Sequence, residues 1–484
     1  MKRKIALLLA MMMELGALAG CTGGTGGEEG DITLKWYSRM NKEPDVNEVI
    51  KLASEMAKEK MGVALDIIPL EDYGAKMPAI MASGEDYDIV YTSSVVNNIY
   101  KNVANENLLA LDDLLEETPA LKAVFGDEIW DGVRINGKIY GVPNQQIFAR
   151  GPGYLIPTQN IELLGIDLDS NPYKSLEDYE SYFKAIKEKT GSYGYLPHTW
   201  AGDGPQAYGF EQLIGSGMPG VIRYKSDNLE VINQYESQEY IDHVNLRRRW
   251  VVEGLTQPME INVDDITKYI KPENEVMPWL HFLNTCAPGS EGNLKGNYNV
   301  DMTFSTKTEG LVSSYSLVST MAGINSDSRY PVESIKFIEL LNTDKDIYRT
   351  LTYGFEGTHY TKTGENSIEK STENSYTQPA WAIGNTFNGY TLPGQDADVF
   401  EQTKLVNDEA FRSPILGFAV DQEPIKLQMA NCSAVLSEFG GMEQGIVDPE
   451  VEYPRMIEKL KVAGVDELIA NLNEQLQTWL SENK

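Results

Sequence analysis

The chain has 484 residues, with 72 acidic against 41 basic side chains and a net charge of −31 at pH 7. A surface of that sign repels nucleic acid and anionic lipid, so neither is an expected partner. Three cysteines in a chain of this length exclude a disulfide scaffold, and the length has room for two or three domains.

The chain opens on MKRKIALLLAMMMELGALAG, in which Lys2, Arg3 and Lys4 precede an apolar stretch from Ile5 to Gly20. That stretch is shorter than the roughly 20 residues of a membrane span, and Glu14 interrupts it, so residues 1–20 read as a signal peptide. The following Leu18-Ala19-Gly20-Cys21 resembles the bacterial lipoprotein lipobox. The resemblance implies cleavage before Cys21 and acylation, palmitate included, of its thiol and new amino terminus. Residues 22–30, TGGTGGEEG, then form a Gly-rich tether with a reach of about 15–18 Å. Several acyl chains hold a protein stably where one holds it marginally.

From residue 31 the pattern is regular. Ile32, Leu34 and Trp36 alternate with Thr33, Lys35 and Tyr37, which predicts a strand. A helix follows with Val46, Val49, Ile50, Ala53, Met56 and Ala57 on one face, Asp45 as its cap and Gly62 as its stop. VALDIIPL is a second strand, YGAKMPAIMASGE a short helix and YDIVYTSS a third strand. Strands alternating with helices predict a parallel sheet, whose ligands meet the loops at the strands' carboxyl ends. Those loops are Ser38–Asn41 and Thr92–Asn98. VRINGKIYGVPNQQ is a hairpin turning at Asn136-Gly137 and ending in Asn144, Gln145 and Gln146. The pattern resets after Gly151, passes a capping box at Ser175–Asp178, and becomes loop-heavy from 192 to 300. It returns near Leu311 with a strand, a helix carrying Ile335, Ile338 and Leu341, and a second helix stopped by Gly354. The C-terminus is two helices parted by Gly464, the last with Val465, Leu468, Ile469, Leu472, Leu476, Trp479 and Leu480 inside.

Four segments carry a family resemblance: ITLKWYS; NLLALDDLLEETPAL leading to INGKIYGVPN; SIKFIELLNTDKDIYRTLTYGFEGTHY; and SPILGFAVDQEPIKLQMANCSAVLSEF with the two terminal helices. In this order they resemble the extracellular solute-binding lipoproteins of bacterial ABC importers, in the subgroup for oligosaccharide or aldouronate uptake. The resemblance implies an α/β fold of two lobes like the periplasmic binding proteins, with an interlobe ligand cleft and a helical C-terminus. The first lobe would take residues 31–148 and 305–353, the second 149–304 and 354–484. It further implies a monomer at the outer face of the cell membrane, attached by its lipid alone, that closes on an oligosaccharide and delivers it to an ABC permease.

Catalytic machinery is not evident. The four histidines, His198, His243, His281 and His359, have no metal-binding spacing, and no nucleophile elbow or phosphate-binding loop occurs. The expectation is a binding protein without a cofactor. Its rivals are a receptor for a peptide or other small solute, a surface glycosidase, and an adhesin.

A saccharide receptor needs flat aromatic faces for the apolar faces of sugar rings, and polar side chains for their hydroxyls. Trp200, Trp279 and Trp381 lie among Pro and Gly and are the stacking candidates, while Trp36 is core or cleft. Polar candidates follow the strand ends: Arg39 and Asn41, Ser93 and Asn97, Asn144 and Gln145. Tyr315 and Glu356 fall near the second and third implied crossings, with Glu356 either on a hydroxyl or fixing the hinge. Asp167, Asp169, Asn171, the Tyr173 carbonyl and Asp178, with Ser175 and Glu177, approximate the alternating oxygens of a calcium loop. Pro172 stands where such a loop wants Gly, so a structural calcium competes with a plain loop and cap. Cys286 and Cys432 are either a pair or two thiols.

Overall fold

The computed structural model describes residues 32–196, 204–257 and 274–483. The leader, Cys21 and the tether lie outside the described residues, as do His198 and Trp200. Among the described residues no helix is long and apolar enough to cross a membrane.

The three predicted strands form as β1 (Thr33–Ser38), β2 (Ala64–Pro69) and β3 (Ile89–Thr92). They are parallel, with Trp36 level with Ile67 on one side and Ile89 on the other. The strand Met321–Ile324 returns antiparallel to β3, Met321 beside Thr92, and pairs with β4 (Val142–Pro143). The sheet order is β2, β1, β3, Met321–Ile324, β4. Alternation in β1 suggests one wet face, yet Leu34, Trp36, Tyr37 and Ser38 are all buried. A central parallel strand is covered on both faces, which overrides the alternation.

The helices between the strands are α1 (Val46–Met61), α2 (Tyr73–Ser83) and α3 (Ile99–Ala104). α1 buries Val46, Val49, Ile50, Ala53 and Ala57, the predicted face, and ends on Gly62 in the left-handed region. Asp45 makes no cap bond. Its carboxylate instead accepts a hydrogen bond from His359 Nε2 at 3.0 Å.

The second core lies against an antiparallel sheet of β5 (Gly153–Pro157) between His281–Leu283 and Met302–Lys307. Tyr179, Tyr182, Phe183 and Trp250 fill it. The last helix, Val465–Asn483, buries Val465, Leu468, Leu472 and Leu476 as predicted, and packs on the 210–231 region and the helix Gln238–Val252 through neighbouring clusters. Cys286 and Cys432 are separate free thiols.

Three passes of the chain join the two bodies side by side. Arg150 and Leu311 exchange backbone bonds of 2.9 and 2.7 Å, while Phe411 donates to Gly310 and Ser413 to Val312, each at 2.9 Å. The crossings therefore fall near 150, 311 and 412, where the sequence placed them after 148, 304 and 353. The second moves because Met302–Lys307 belongs to the β5 sheet. The third moves further because residues 355–392 pack on the first body. Tyr376, Ala382 and Ile383 lie in its core, and Asn385 and Asn388 bond the Asn342 carbonyl at 3.0 and 2.9 Å. Glu356 is accordingly away from the hinge, paired with Lys362 at 2.8 Å.

Gly354 stops a helix, as expected, but the turn serves His359 and is no lobe boundary. A Cβ at Gly354 would lie 2.1 Å from the His359 ring, and its φ of +75° suits glycine alone. His359 is 3% exposed; its Nδ1 accepts the Phe355 N–H at 2.9 Å, which places the proton on Nε2 for Asp45. Phe355 and Tyr376 flank the ring nearly parallel, with centroids 5.4 and 5.0 Å away. His359→Ala leaves a buried N–H and a carboxylate unpaired, so urea unfolding should show a loss of about 1–3 kcal/mol. A loss below about 0.5 kcal/mol, the surface-substitution level, would show that this histidine does not hold the 355–376 segment.

Beside the third crossing, Glu211 is buried and accepts the Ser413 hydroxyl at 2.7 Å. Burial pushes its carboxyl up from 4.5 to about 7. The folded chain thus holds a proton on this group that the unfolded chain loses above its lower pKa, so the group's contribution to stability falls as pH rises from about 4.5 to 7. Glu211→Gln should flatten that part of the stability–pH curve and stabilise the protein above pH 7, as read by thermal unfolding across pH. An unchanged curve would show that the carboxyl is not titrating there.

Candidate functional site

Because β1, β3 and β4 run the same way, and Met321–Ile324 runs against them, four chain segments meet at one end of the sheet. Arg39 leaves β1, Ser93–Asn97 leave β3, Asn144–Gln146 leave β4, and Ser319–Thr320 enter the antiparallel strand. Topology thus delivers the site expected for such a sheet.

Its centre is Arg39. The guanidinium lies 5.2 Å from the ring centre of Tyr91 and 5.0 Å from that of Trp381, within cation–π range of both. The two rings stand 6.2 Å apart at 71°. No carboxylate pairs with Arg39 among the described residues, although the chain is strongly acidic. Tyr91 is 3% exposed and its hydroxyl donates to the Ser319 carbonyl at 3.3 Å. Burial raises that phenol's pKa, and hydrogen bonding and charge from Arg39 oppose the rise.

Trp381 is 38% exposed, unusual for an indole in a packed protein. Its turn is fixed from below, where the Trp381 carbonyl accepts Asn144 Nδ2 at 3.2 Å and Gln146 Nε2 at 3.4 Å. Gln146 also reaches the Thr320 hydroxyl. The Gln145 carbonyl accepts the Thr386 N–H and hydroxyl at 2.8 and 2.9 Å, tying down the next turn. Of the sequence candidates, Arg39, Asn144, Gln145 and Trp381 therefore come together, with Asn144 acting through Trp381.

Asn41 bonds across the sheet end instead. Its Nδ2 donates to the Thr377 carbonyl and its N–H to Gln378 Oε1, both at 2.7 Å. With Arg39, Tyr73, Gly74 and Val96 it lines a cleft of about 670 Å³. Tyr315 is half-buried beside the first crossing, with the Arg150 guanidinium 5.3 Å from its ring centre.

Other candidates go elsewhere. Trp36 is 3% exposed with its ring edge-on to Phe337 at 5.9 Å, and Trp279 is fully buried between His281 and Tyr298. Both are core, not stacking platforms. The Ser93 hydroxyl accepts the N–H groups of Val95 and Val96 at 3.0 and 2.7 Å. Asn97 is buried at φ +51°, donating to the Tyr91 carbonyl at 2.9 Å. Short polar side chains after a strand satisfy their own backbone and build the turn. Glu356 is removed from the site by the third crossing's position, and Trp200 lies outside the described residues. Tyr91, whose ring lies under the Arg39 guanidinium, is the member of this cluster that sequence reading missed. Its place near the end of a strand, two residues before the polar loop that starts at Ser93, was the available signal.

The acidic loop does not fit a calcium ion as placed. Asp167 Oδ1 accepts the N–H groups of Asp169 and Ser170 at 3.2 and 2.9 Å, bonds that hold its carboxyl below the usual range. Asp178 Oδ2 takes the N–H groups of Lys174 and Ser175, both at 2.8 Å, and the Ser175 hydroxyl. The Tyr173 carbonyl already accepts the Thr306 hydroxyl at 2.9 Å. Asp169 and Asn171 do not complete a set, for among the described residues no three carboxylate, imidazole or thiol groups gather to hold a metal.

Comparison with known proteins adds the following. A family described as a domain of unknown function (DUF3502) matches residues 414–481. A carbohydrate ABC transporter substrate-binding protein of Streptococcus pneumoniae is 26% identical over 503 aligned residues, spanning 100% of this chain and 99% of its own. The polygalacturonan/rhamnogalacturonan-binding protein YtcQ of Bacillus subtilis is 21% identical over 75% of this chain and 74% of its own. The crystal structure of the N-glycan transport solute binding protein NgtS of S. pneumoniae matches with a TM-score of 0.79 and 24% identity, over 94% of this chain and 100% of that one. The same protein in complex with Man5GlcNAc matches with a TM-score of 0.72. The chain therefore has the two-domain solute-binding fold.

Proposed function

We infer that this chain is the substrate-binding protein of a carbohydrate ABC importer, taking an oligosaccharide between its two lobes and presenting it to the permease. Likeness to a carbohydrate ABC transporter substrate-binding protein along the whole chain supports the class. The observation that carries the ligand chemistry is Trp381, held exposed at the sheet end with Arg39 stacked on it. Its flat indole covers the apolar face of a pyranose at little entropic cost. Arg39 supplies N–H donors to hydroxyls from a position already fixed by two rings, so few rotamers remain to be frozen on binding.

The ribbon at 150, 311 and 412 is the axis of closure. The lobes come together because the ligand meets both only in the closed form. In this reading Cys21 carries the acyl anchor, and the tether keeps the receptor mobile beside its permease at the outer membrane face. Nothing in the cycle requires a reaction; the protein binds, closes and releases.

Calorimetric titration with Man1GlcNAc, Man5GlcNAc and hexagalacturonate tests the proposal, since the relatives named above direct the choice of probes. At least one should bind. Trp381→Ala and Arg39→Met should each weaken that binding at least about tenfold, equal to about 1.4 kcal/mol, without moving the urea midpoint. Affinity unchanged in both variants would remove this cluster from the binding site, and no binding of any probe would end the proposal for these sugar classes.

A further inference from the structure

The two halves of the stack come from distant parts of the chain. Arg39 stands on the loop after β1, and Trp381 on a turn more than 300 positions later. Their contact holds only while the two backbones keep one spacing, and a single side chain spans that spacing. Gln378 Oε1 accepts the Asn41 N–H at 2.7 Å, and Gln378 Nε2 donates to the Asn41 carbonyl at 3.1 Å. The amide thus closes on both backbone polar groups of one residue, as a neighbouring strand would. Asn41 lies two residues after Arg39, and Gln378 three before Trp381.

Burial separates this pair of bonds from its neighbours. Gln378 is 7% exposed, so water competes poorly for its amide. Asn41 Nδ2 also donates to the Thr377 carbonyl, and Glu43 Oε1 accepts the Thr377 N–H, but Asn41 and Thr377 are themselves exposed. Both sides are fixed behind the pair. Met40, between Arg39 and Asn41, is buried, and the hydroxyl of the buried Tyr348 donates to the Ala380 carbonyl at 3.1 Å. Across residues 378–384 only Trp381 is exposed. A turn so anchored, offering one indole to solvent, spares a ligand the cost of ordering it.

We propose that Gln378 is the positioning residue of the receptor: its amide sets the gap between the Arg39 loop and the Trp381 turn, and so forms the stack before a ligand arrives. The inference rests on the function proposed above. Gln378 meets no sugar itself, and Asn41 takes part through its backbone, so the Asn41 side chain is not required.

Calorimetry on the full chain with Man1GlcNAc, Man5GlcNAc and hexagalacturonate tests the assignment. For a probe that the unaltered protein binds, Gln378→Met should weaken binding at least about tenfold, and Asn41→Ala should leave it within about threefold. Gln378→Glu adds a readout that general loosening would not move. Protonated, the new carboxyl donates one bond and accepts the other, as the amide does; ionised, it has no donor for the Asn41 carbonyl. Burial raises the pKa of such a carboxyl. Relative to the unaltered protein at the same pH, Gln378→Glu should therefore bind within about threefold at about pH 5.5 and at least about tenfold more weakly at about pH 8. Arg39, Glu43, Lys370, Tyr376 and the His359–Asp45 pair are the charged and titratable groups about this place. They are common to both proteins, so the ratio isolates the new carboxyl. A ratio that does not move with pH, a folded Gln378→Met within about twofold of the unaltered protein, or Asn41→Ala as weak as Gln378→Met overturns the inference. The function proposed above survives any of these results if Trp381→Ala weakens the same probe. Binding of no probe by the unaltered protein ends both. Urea midpoints show whether Gln378→Met is folded, and where it is not, the pH ratio decides alone.

Discussion

Every path between the two bodies runs through a ribbon a few residues wide. Its passes are held by the mutual bonds of Arg150 with Leu311 and by the donations of Phe411 and Ser413 to Gly310 and Val312. Such close passage needs bare backbone. A Cβ at Gly151 would sit 2.8 Å from the Thr308 carbonyl oxygen and 3.3 Å from Gly310 Cα. The main core of each body lies in its own residues, while just past the third crossing Leu416 and Ala419 pack on the first body's core and Ile415 and Phe418 on the second body's. That is the arrangement in which two rigid units move about a hinge. The ribbon is not inert, since the Ser413 hydroxyl donates a hydrogen bond to the buried carboxyl of Glu211.

The site itself depends on a charge left without a counter-charge. In a chain with 72 acidic residues, an arginine would ordinarily find a carboxylate. Arg39 is instead stacked on Tyr91 and Trp381, whose faces attract the cation while leaving its N–H edge unengaged by acids. Paired to an acid, the same group would have its donors consumed. Ring stacking keeps the guanidinium oriented and available, and Asn144 and Gln146 hold, through its carbonyl, the turn that carries the indole. The polar residues around it thus divide into those that present the surface and those that build the turns beneath it.

Local periodicity made the three parallel strands, the α1 face and the last helix legible, because each is a repeat of apolar positions within a few turns. The strand ends named Arg39, Asn144 and Gln145 for the same reason, since parallel topology fixes where loops gather. What stayed hidden was long-range. The pairing of Asn41 with Thr377 and Gln378, more than 300 positions away, leaves no local trace, and with it went the true place of the third crossing. Gly354 looked like a boundary because a helix stop and a lobe boundary use the same residue. Tryptophan neighbourhood also misled: Trp279 and Trp381 both follow closely on a proline in an irregular segment, but only the latter has its turn anchored at a sheet end. Ser93 and Asn97 had the right address, and their side chains were spent on the turn.

A cluster on one lobe cannot by itself close a receptor. A ligand that touches only Arg39, Tyr91 and Trp381 binds the open and closed forms alike, and equal affinity shifts no equilibrium. Moving a receptor from nearly all open to nearly all closed takes about 5.5 kcal/mol of preference for the closed form. That difference must come from groups across the cleft, in the body that holds Arg150, the β5 sheet and the 413–483 helices. Affinity for a sugar ring and the decision to close are therefore separable, the first resting on the sheet end of one lobe and the second on whatever the other lobe can reach. Under the function proposed above, sequence change in the second body alone would alter which ligands close the lobes while leaving the stacking platform as it is.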